Sequence, residues 1–244
     1  SSTSDFGRTR DVSRSVLFVL PLLLIYEVGL WLLDPGVANA VGVLVRWLLA
    51  MIGPAQTIFN LGLALVFLVA AWRTRKEGGA EPLDLVGILI ESTLYAGLLI
   101  AFAAAYYQVS AGPLPRFELL GATSLSAPDE AVLRTVLLSL VLASGAGVYE
   151  ELLFRLLLLS ALIWLFERLL PSLLALLIAV VVSAVLFALA HHLPPQPEPT
   201  IGPVVFRTVC GLGFAVLFLL RGFAVTVYTH TVYNLLVFLY LGLP

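Results

Sequence analysis

The sequence predicts an all-α fold, a polytopic integral membrane bundle of about eight helices, with roughly seven to nine as the range the run lengths allow. Three observations carry this prediction. Of 244 residues, 61% are hydrophobic and only 11% are charged, against about 25% charged in ordinary globular domains. Mean hydropathy is +1.06. Apolar runs of about 20 residues, the length that crosses the hydrocarbon core of a bilayer, follow one another with proline, glycine or charged residues between them. Neither strand-period alternation nor an internal repeat breaks this pattern.

Residues 15–33 form the first span, stopped by Asp34-Pro35-Gly36. The run has no small-residue cleavage site and reads as a helix, not a signal peptide. Residues 37–52 are apolar but carry Arg46 and end at Gly53-Pro54, which suits an interfacial or re-entrant segment. Residues 55–72 form the second span, closed by the polar stretch 73–79. Residues 83–107 form the third, with Glu91 inside it. Residues 112–130 read as a loop rich in proline, and Ser126 or Asp129 is placed to cap the next helix. Residues 131–148 form the fourth span, ending in Ser144-Gly145-Ala146-Gly147, and residues 149–170 the fifth, ending before Pro171. Residues 172–191 form the sixth, followed by the stiff proline-rich loop 194–199. Residues 204–220 and 223–243 are the seventh and eighth, joined by Arg221-Gly222.

Arg8, Arg10 and Arg14 precede the first span, and Arg73, Arg75 and Lys76 follow the second. The positive-inside rule places both clusters, and with them the N-terminus, in the cytoplasm, provided 37–52 does not cross. A net charge of -2 offers no case for nucleic-acid binding. The single cysteine, Cys210, excludes an internal disulfide and any multi-cysteine metal site, and its apolar surroundings suit a small buried packing residue.

Glu150 and Glu151 stand in an otherwise apolar stretch, and a carboxylate there costs a few kcal/mol on insertion scales. Arg155, four residues on, shares a helix face with Glu151. Glu150 points about 100° away, so it has no local counter-ion and is the better candidate for a base. Glu151 and Arg155 are then a structural pair. Glu150 lies 21 residues before Pro171 and His191 lies 20 after it. Antiparallel helices of equal rise bring those positions to one depth. A carboxylate and an imidazole can together deprotonate a water. His230 and Asn234 share a face of the last helix, and two hydrogen-bond donors there can hold the oxyanion of a tetrahedral intermediate. The depths conflict, however. His230 is about 12 Å past the Arg221-Gly222 turn and Glu150 about 30 Å from the Pro171 turn. The levels match only if the fifth and sixth spans outreach the bilayer or Arg221 sits deep.

The run Glu150-Glu151-Leu-Leu-Phe-Arg155, the run Phe187-Ala-Leu-Ala-His191 and the run His230-Thr-Val-Tyr-Asn234 occur in this order. As an ordered set they resemble the CAAX protease and bacteriocin-processing family, the glutamic-type intramembrane proteases, over about residues 131–243. The resemblance implies one membrane domain over 1–244, with a catalytic core at 131–243 and additional N-terminal helices at 15–110. It implies that Glu150 and His191 activate water while His230 and Asn234 form the oxyanion hole. Glu151, Arg155 and Phe187 support the site. No metal and no cofactor is implied. The partners are the bilayer and a membrane-associated protein or peptide substrate: a prenylated tail, a C-terminal sorting tail or a leader. The implied setting is the inner membrane of a prokaryote. Oligomeric state is left open.

Other readings compete. A Glu-Arg pair can simply lock helices, and a lone intramembrane histidine or asparagine more often makes an interhelical hydrogen bond. Glu91 is a candidate for a cavity or substrate role, and Glu27 reads as a packing or interface residue. His192 lies outside the motif, as a helix-end residue. Glu150, His191 and His230 could supply three zinc ligands, although no His-Glu-x-x-His helix is present. A proton or ion transporter would use the same intramembrane groups as a path, and an immunity or scaffold protein would use them only for packing.

Overall fold

The computed structural model describes residues 12–33, 55–76, 82–110, 129–192 and 200–241. The segment 37–52, the stretch 77–79, the loop 112–128 and the loop 194–199 lie outside the described residues. Seven helical rods and no strand occur among those described. They are α1 (Val12–Leu33), α2 (Ala55–Lys76), α3 (Pro82–Ser110), one long rod, α6 (Ser172–Ala190), α7 (Ile201–Arg221) and α8 (Phe223–Leu241). The long rod comprises α4 (Asp129–Glu151), a π-helical stretch (Leu152–Leu159) and α5 (Ser160–Phe166). Helices over Arg14–Leu33, Asp84–Val109, Val132–Phe166, Ser172–Ala190, Ile201–Arg221 and Phe223–Tyr240 are long and apolar enough to cross a membrane. The chain is a multi-pass integral membrane protein.

The expected break between the fourth and fifth spans is corrected: helix runs without interruption from Asp129 to Phe166. Inside a bilayer no water is present to satisfy a broken backbone, and small residues there let helices approach instead. Gly147 shows this. A Cβ on it would collide with Thr231 Oγ1 and lie 3.0 Å from the Val227 carbonyl oxygen. The small-residue stretch is thus a seat for α8, not a helix stop.

The merged rod also resolves the conflict of depths. Its 35-residue span is roughly 50 Å long, well beyond the hydrocarbon thickness of about 30 Å. Glu150 sits near its middle. The α7–α8 turn is set inside the bundle, because Arg221 pairs with Glu91 of α3 through two contacts, one from Nε to Oε1 and one from Nη2 to Oε2 at 2.7 Å. Gly222 makes the reversal in one residue, with φ 88°, a conformation that side-chain-bearing residues avoid.

α8 is the hub, packed against α1, α3, α4 and α7, and it is buried from Phe223 through Thr231. Its best window has a hydropathy of only 1.3 and is 50% buried, whereas α6 has 3.1 and is 33% buried. In lipid the outer helices must be the most apolar, and polar groups gather where helices shield them. Two bonds tie α8 to the N-terminal helices. Tyr228 donates to the Phe18 carbonyl of α1 at 2.9 Å and Ser92 of α3 donates to the Val225 carbonyl at 3.1 Å.

Candidate active site

Glu150, Glu151 and Arg155 are 5%, 0% and 0% exposed. The helical offset between the two glutamates sends their carboxylates to different partners. Glu151 Oε1 accepts from His230 Nδ1 at 2.7 Å and lies 3.1 Å from Arg155 Nη1. The Arg155 guanidinium stands 4.2 Å from the centre of the Phe187 ring and 5.3 Å from that of Phe214, in cation–π geometry. Its Nη2 donates to the Gly211 carbonyl at 3.3 Å. Glu151 therefore joins the α4 rod to α8, and Arg155 joins it to α6 and α7. The π-helical stretch begins directly after Glu151, and such stretches free carbonyls from the regular ladder. Ser183 of α6 donates to the Phe154 carbonyl at 3.0 Å, which fixes the hairpin at the level of the site.

Glu150 has different neighbours. Its Oε2 lies 3.4 Å from His191 Nε2 and 3.7 Å from His230 Nε2. Both distances exceed the usual 2.7–3.2 Å of an N–H···O bond, and Glu150 Oε2 makes no hydrogen bond to another protein group. Three polar atoms from three helices thus face one point. The imidazole orientations follow from their other nitrogens. His191 Nδ1 is 2.8 Å from the Phe187 carbonyl, so it carries a proton and Nε2 is turned to the site. His230 Nδ1–H is likewise committed to Glu151. Phe187 meets His191 and His230 edge-on at 4.7 and 6.2 Å, and Phe214 stacks on His230 at 4.6 Å. These rings hold both imidazoles in place.

His191 lies just past the end of α6, with a side chain 21% exposed. Burial works against its charge, but the Glu150 carboxylate and its hydrogen bond outweigh this and raise its pKa above the ordinary imidazole value. Asn234 lies one turn beyond His230, half-buried, with no protein hydrogen-bond partner among the described residues. No group of three or more His, Cys, Asp or Glu side chains among the described residues is arranged to hold a metal ion.

The structure therefore brings together Glu150, Glu151, Arg155, Phe187, His191 and His230, with Asn234 on the same helix as His230. Glu91 is elsewhere, paired with Arg221. Sequence reasoning missed that pairing, although a signal was available: intramembrane charges pair, and Arg221 is an intramembrane cation beside a turn. It also missed the Glu151–His230 bond and the ring of Phe214, for which no local pattern exists. Glu27, expected as a packing residue, accepts a hydrogen bond from Tyr149 at 2.6 Å, next in sequence to Glu150.

Residues 132–236 match the family model described as type II CAAX prenyl endopeptidase Rce1-like. This segment is similar to the Rce1-like family. The Rce1-like segment begins in α4, ends in α8 and contains all seven residues of the three motifs. The similarity is to CAAX-type prenyl endopeptidases. The helices α1, α2 and α3 lie outside the matched segment. No curated protein and no solved structure matches the chain.

Proposed function

We propose that the protein is a glutamic-type intramembrane endopeptidase that cuts a peptide bond in a membrane-associated protein by means of a water activated between Glu150 and His191. The observation that carries this reading is the convergence of Glu150 Oε2 with two imidazole Nε2 atoms at 3.4 and 3.7 Å in a buried site. A water held there loses a proton to the Glu150–His191 pair as its oxygen adds to the scissile carbonyl carbon. The carbonyl oxygen becomes an oxyanion, held by His230 Nε2–H and the Asn234 amide. Donation from Nε2 requires both ring nitrogens of His230 to carry protons, with Nδ1–H already given to Glu151. Collapse of the intermediate breaks the C–N bond, and the proton taken from water passes to the leaving amine.

The substrate is a tail or leader that lies in or on the bilayer. A lipid-modified tail suits the surroundings. An apolar cavity of about 290 Å³, lined by Leu98, Leu99, Phe214, Leu217 and Leu220 among others, adjoins the ring that stacks on His230.

Glu150→Gln keeps the shape of the side chain and removes the base. It should lower cleavage by about 10²–10⁴-fold, the scale of general acid–base catalysis, while the protein remains folded and inserted. The measurement is a mass-spectrometric survey of protein termini in membranes expressing either form at equal level. New C-termini made only by the wild type identify tail processing, and new N-termini identify leader processing. Identical termini in the two samples would refute the mechanism.

A further inference from the structure

Long-range contacts fix which helix ends lie together. Glu91, in the first third of α3, pairs with Arg221 at the α7–α8 turn. Phe166, at the end of the rod, shares a hydrophobic cluster with Phe218 and Leu219, just before that turn. The Phe18 carbonyl, in the second turn of α1, accepts from Tyr228, early in α8. Lys76 ends α2 and lies six residues from Pro82, which starts α3. Such a link reaches at most about 21 Å, too little to cross a core of about 30 Å. One end of the bundle therefore carries Arg14, Arg73, Arg75, Lys76, Arg168 and Arg221. At the opposite end Tyr106, late in α3, donates to the Gly202 carbonyl at the start of α7 at 2.9 Å. Among the described residues only Arg134 and Arg207 stand toward that end. An excess of lysine and arginine beside membrane helices marks the cytoplasmic side.

The catalytic groups lie far from that basic end, and three helices give the same distance. His191 follows the first residue of α6 by 19 positions, or about 28 Å of helix. Glu150 precedes Phe166 by 16 positions, or about 24 Å. Arg221 stands level with Glu91, nine residues into α3, and His230 follows Arg221 by nine more, each step about 13 Å. α6 itself locates the hydrocarbon. It is the most apolar of the described spans, and it exposes Leu173, Leu177, Val181, Val185 and Leu189 along its whole length. Its 19 residues match the thickness of the core. His191, just past its last turn, therefore stands at the far boundary. The merged rod sends the site there. Were residues 131–148 and 149–170 separate crossings, α6 would run the other way and His191 would return to the cytoplasmic side.

We propose that the catalytic site opens on the non-cytoplasmic face of the membrane, and that its substrate is the tail or leader of an exported, membrane-anchored protein. The side rests on charge and packing alone, whereas the substrate rests on the endopeptidase reading and deepens it. His191 is the most open of the three converging side chains, at 21% exposure against 6% for Glu150 and 5% for His230. The cytoplasmic end is closed by the Glu91–Arg221 pair and by the cluster of Phe166 with Phe218. A scissile bond presented from the cytoplasm meets packed helices, while one carried across the membrane meets His191 first. Cleavage thus consumes the product of polypeptide translocation.

The test uses the full chain with Cys210→Ala, which removes its single cysteine. Thr200→Cys then marks the His191 end and Glu167→Cys the basic end, and both positions are exposed. A membrane-impermeant maleimide added to spheroplasts of a bacterial host should label Thr200→Cys and leave Glu167→Cys unlabelled. Inverted membrane vesicles should give the reverse, and both variants should react once solubilised in detergent. Labelling of Glu167→Cys in spheroplasts overturns the orientation, whether or not Thr200→Cys is labelled with it. The survey of protein termini, wild type against Glu150→Gln, decides the substrate. Termini that depend on Glu150 should fall in exported proteins, on the outer side of the membrane. Such termini confined to cytoplasmic segments overturn the proposal and leave the endopeptidase reading intact. If Thr200→Cys is labelled from outside and no terminus depends on Glu150, the orientation stands, while the endopeptidase reading fails and the substrate assignment with it.

Discussion

Glu151 shows how much a single buried carboxylate can organise. From sequence it is half of a local ion pair with Arg155. In the bundle the same oxygen also accepts from His230, so one residue sets both the guanidinium and the imidazole. Removing one member of such a group leaves an uncompensated buried charge, at a cost of about 3–5 kcal/mol. Arg155→Met should therefore lower the thermal unfolding temperature sharply and abolish cleavage, whereas Glu150→Gln abolishes cleavage alone. Unfolding curves in detergent separate the two. His191 makes a pH-dependent contribution. Its folded-state pKa is raised chiefly against burial by Glu150, so the stabilisation is fully present below the ordinary imidazole value and is lost as pH rises through the raised one. The gap in unfolding temperature between wild type and His191→Gln should accordingly shrink as pH rises through that window. A constant gap would show that the pair does not titrate with folding.

At the scale of the element, the α4 rod combines two irregularities with a continuous backbone. Gly147 seats α8 against it, and the π-helical stretch after Glu151 lets Ser183 reach the Phe154 carbonyl. Gly147→Leu would place side-chain atoms where Thr231 and the Val227 carbonyl stand. Overpacking of this kind costs about 1–3 kcal/mol, and here it also pushes His230 away from Glu150. The expected outcome is a modest fall in unfolding temperature with a larger fall in cleavage rate, measured on the same preparation. The Glu150–Pro171–His191 spacing was legible in sequence, because antiparallel helices return to the same depth whatever surrounds them. The continuity of the rod through Ser144–Gly147 was not legible, because glycine signals a stop in water and a contact in lipid.

For the whole molecule, the matched segment does not stand alone. Its hub, α8, is held from the N-terminal side by Tyr228 to Phe18 and Ser92 to Val225, and the turn that leads into it by Arg221 to Glu91. A fragment starting at Asp129 should thus insert without a stable α8 and show no cleavage, and co-expression with residues 1–128 should restore it. Cleavage by the fragment alone would show that α1–α3 are dispensable. The sequence by itself determined the membrane class, the helical fold, the three motifs and the candidate residues, because hydropathy and helical spacing act over a few turns of one chain. Only the tertiary structure decided that two predicted spans are one rod, that Glu91 belongs to Arg221 and that Glu151 belongs to His230. Those outcomes depend on which faces meet across α3, α4, α7 and α8. Pairing of charges between distant helices is set by packing, which periodicity along a single helix does not encode.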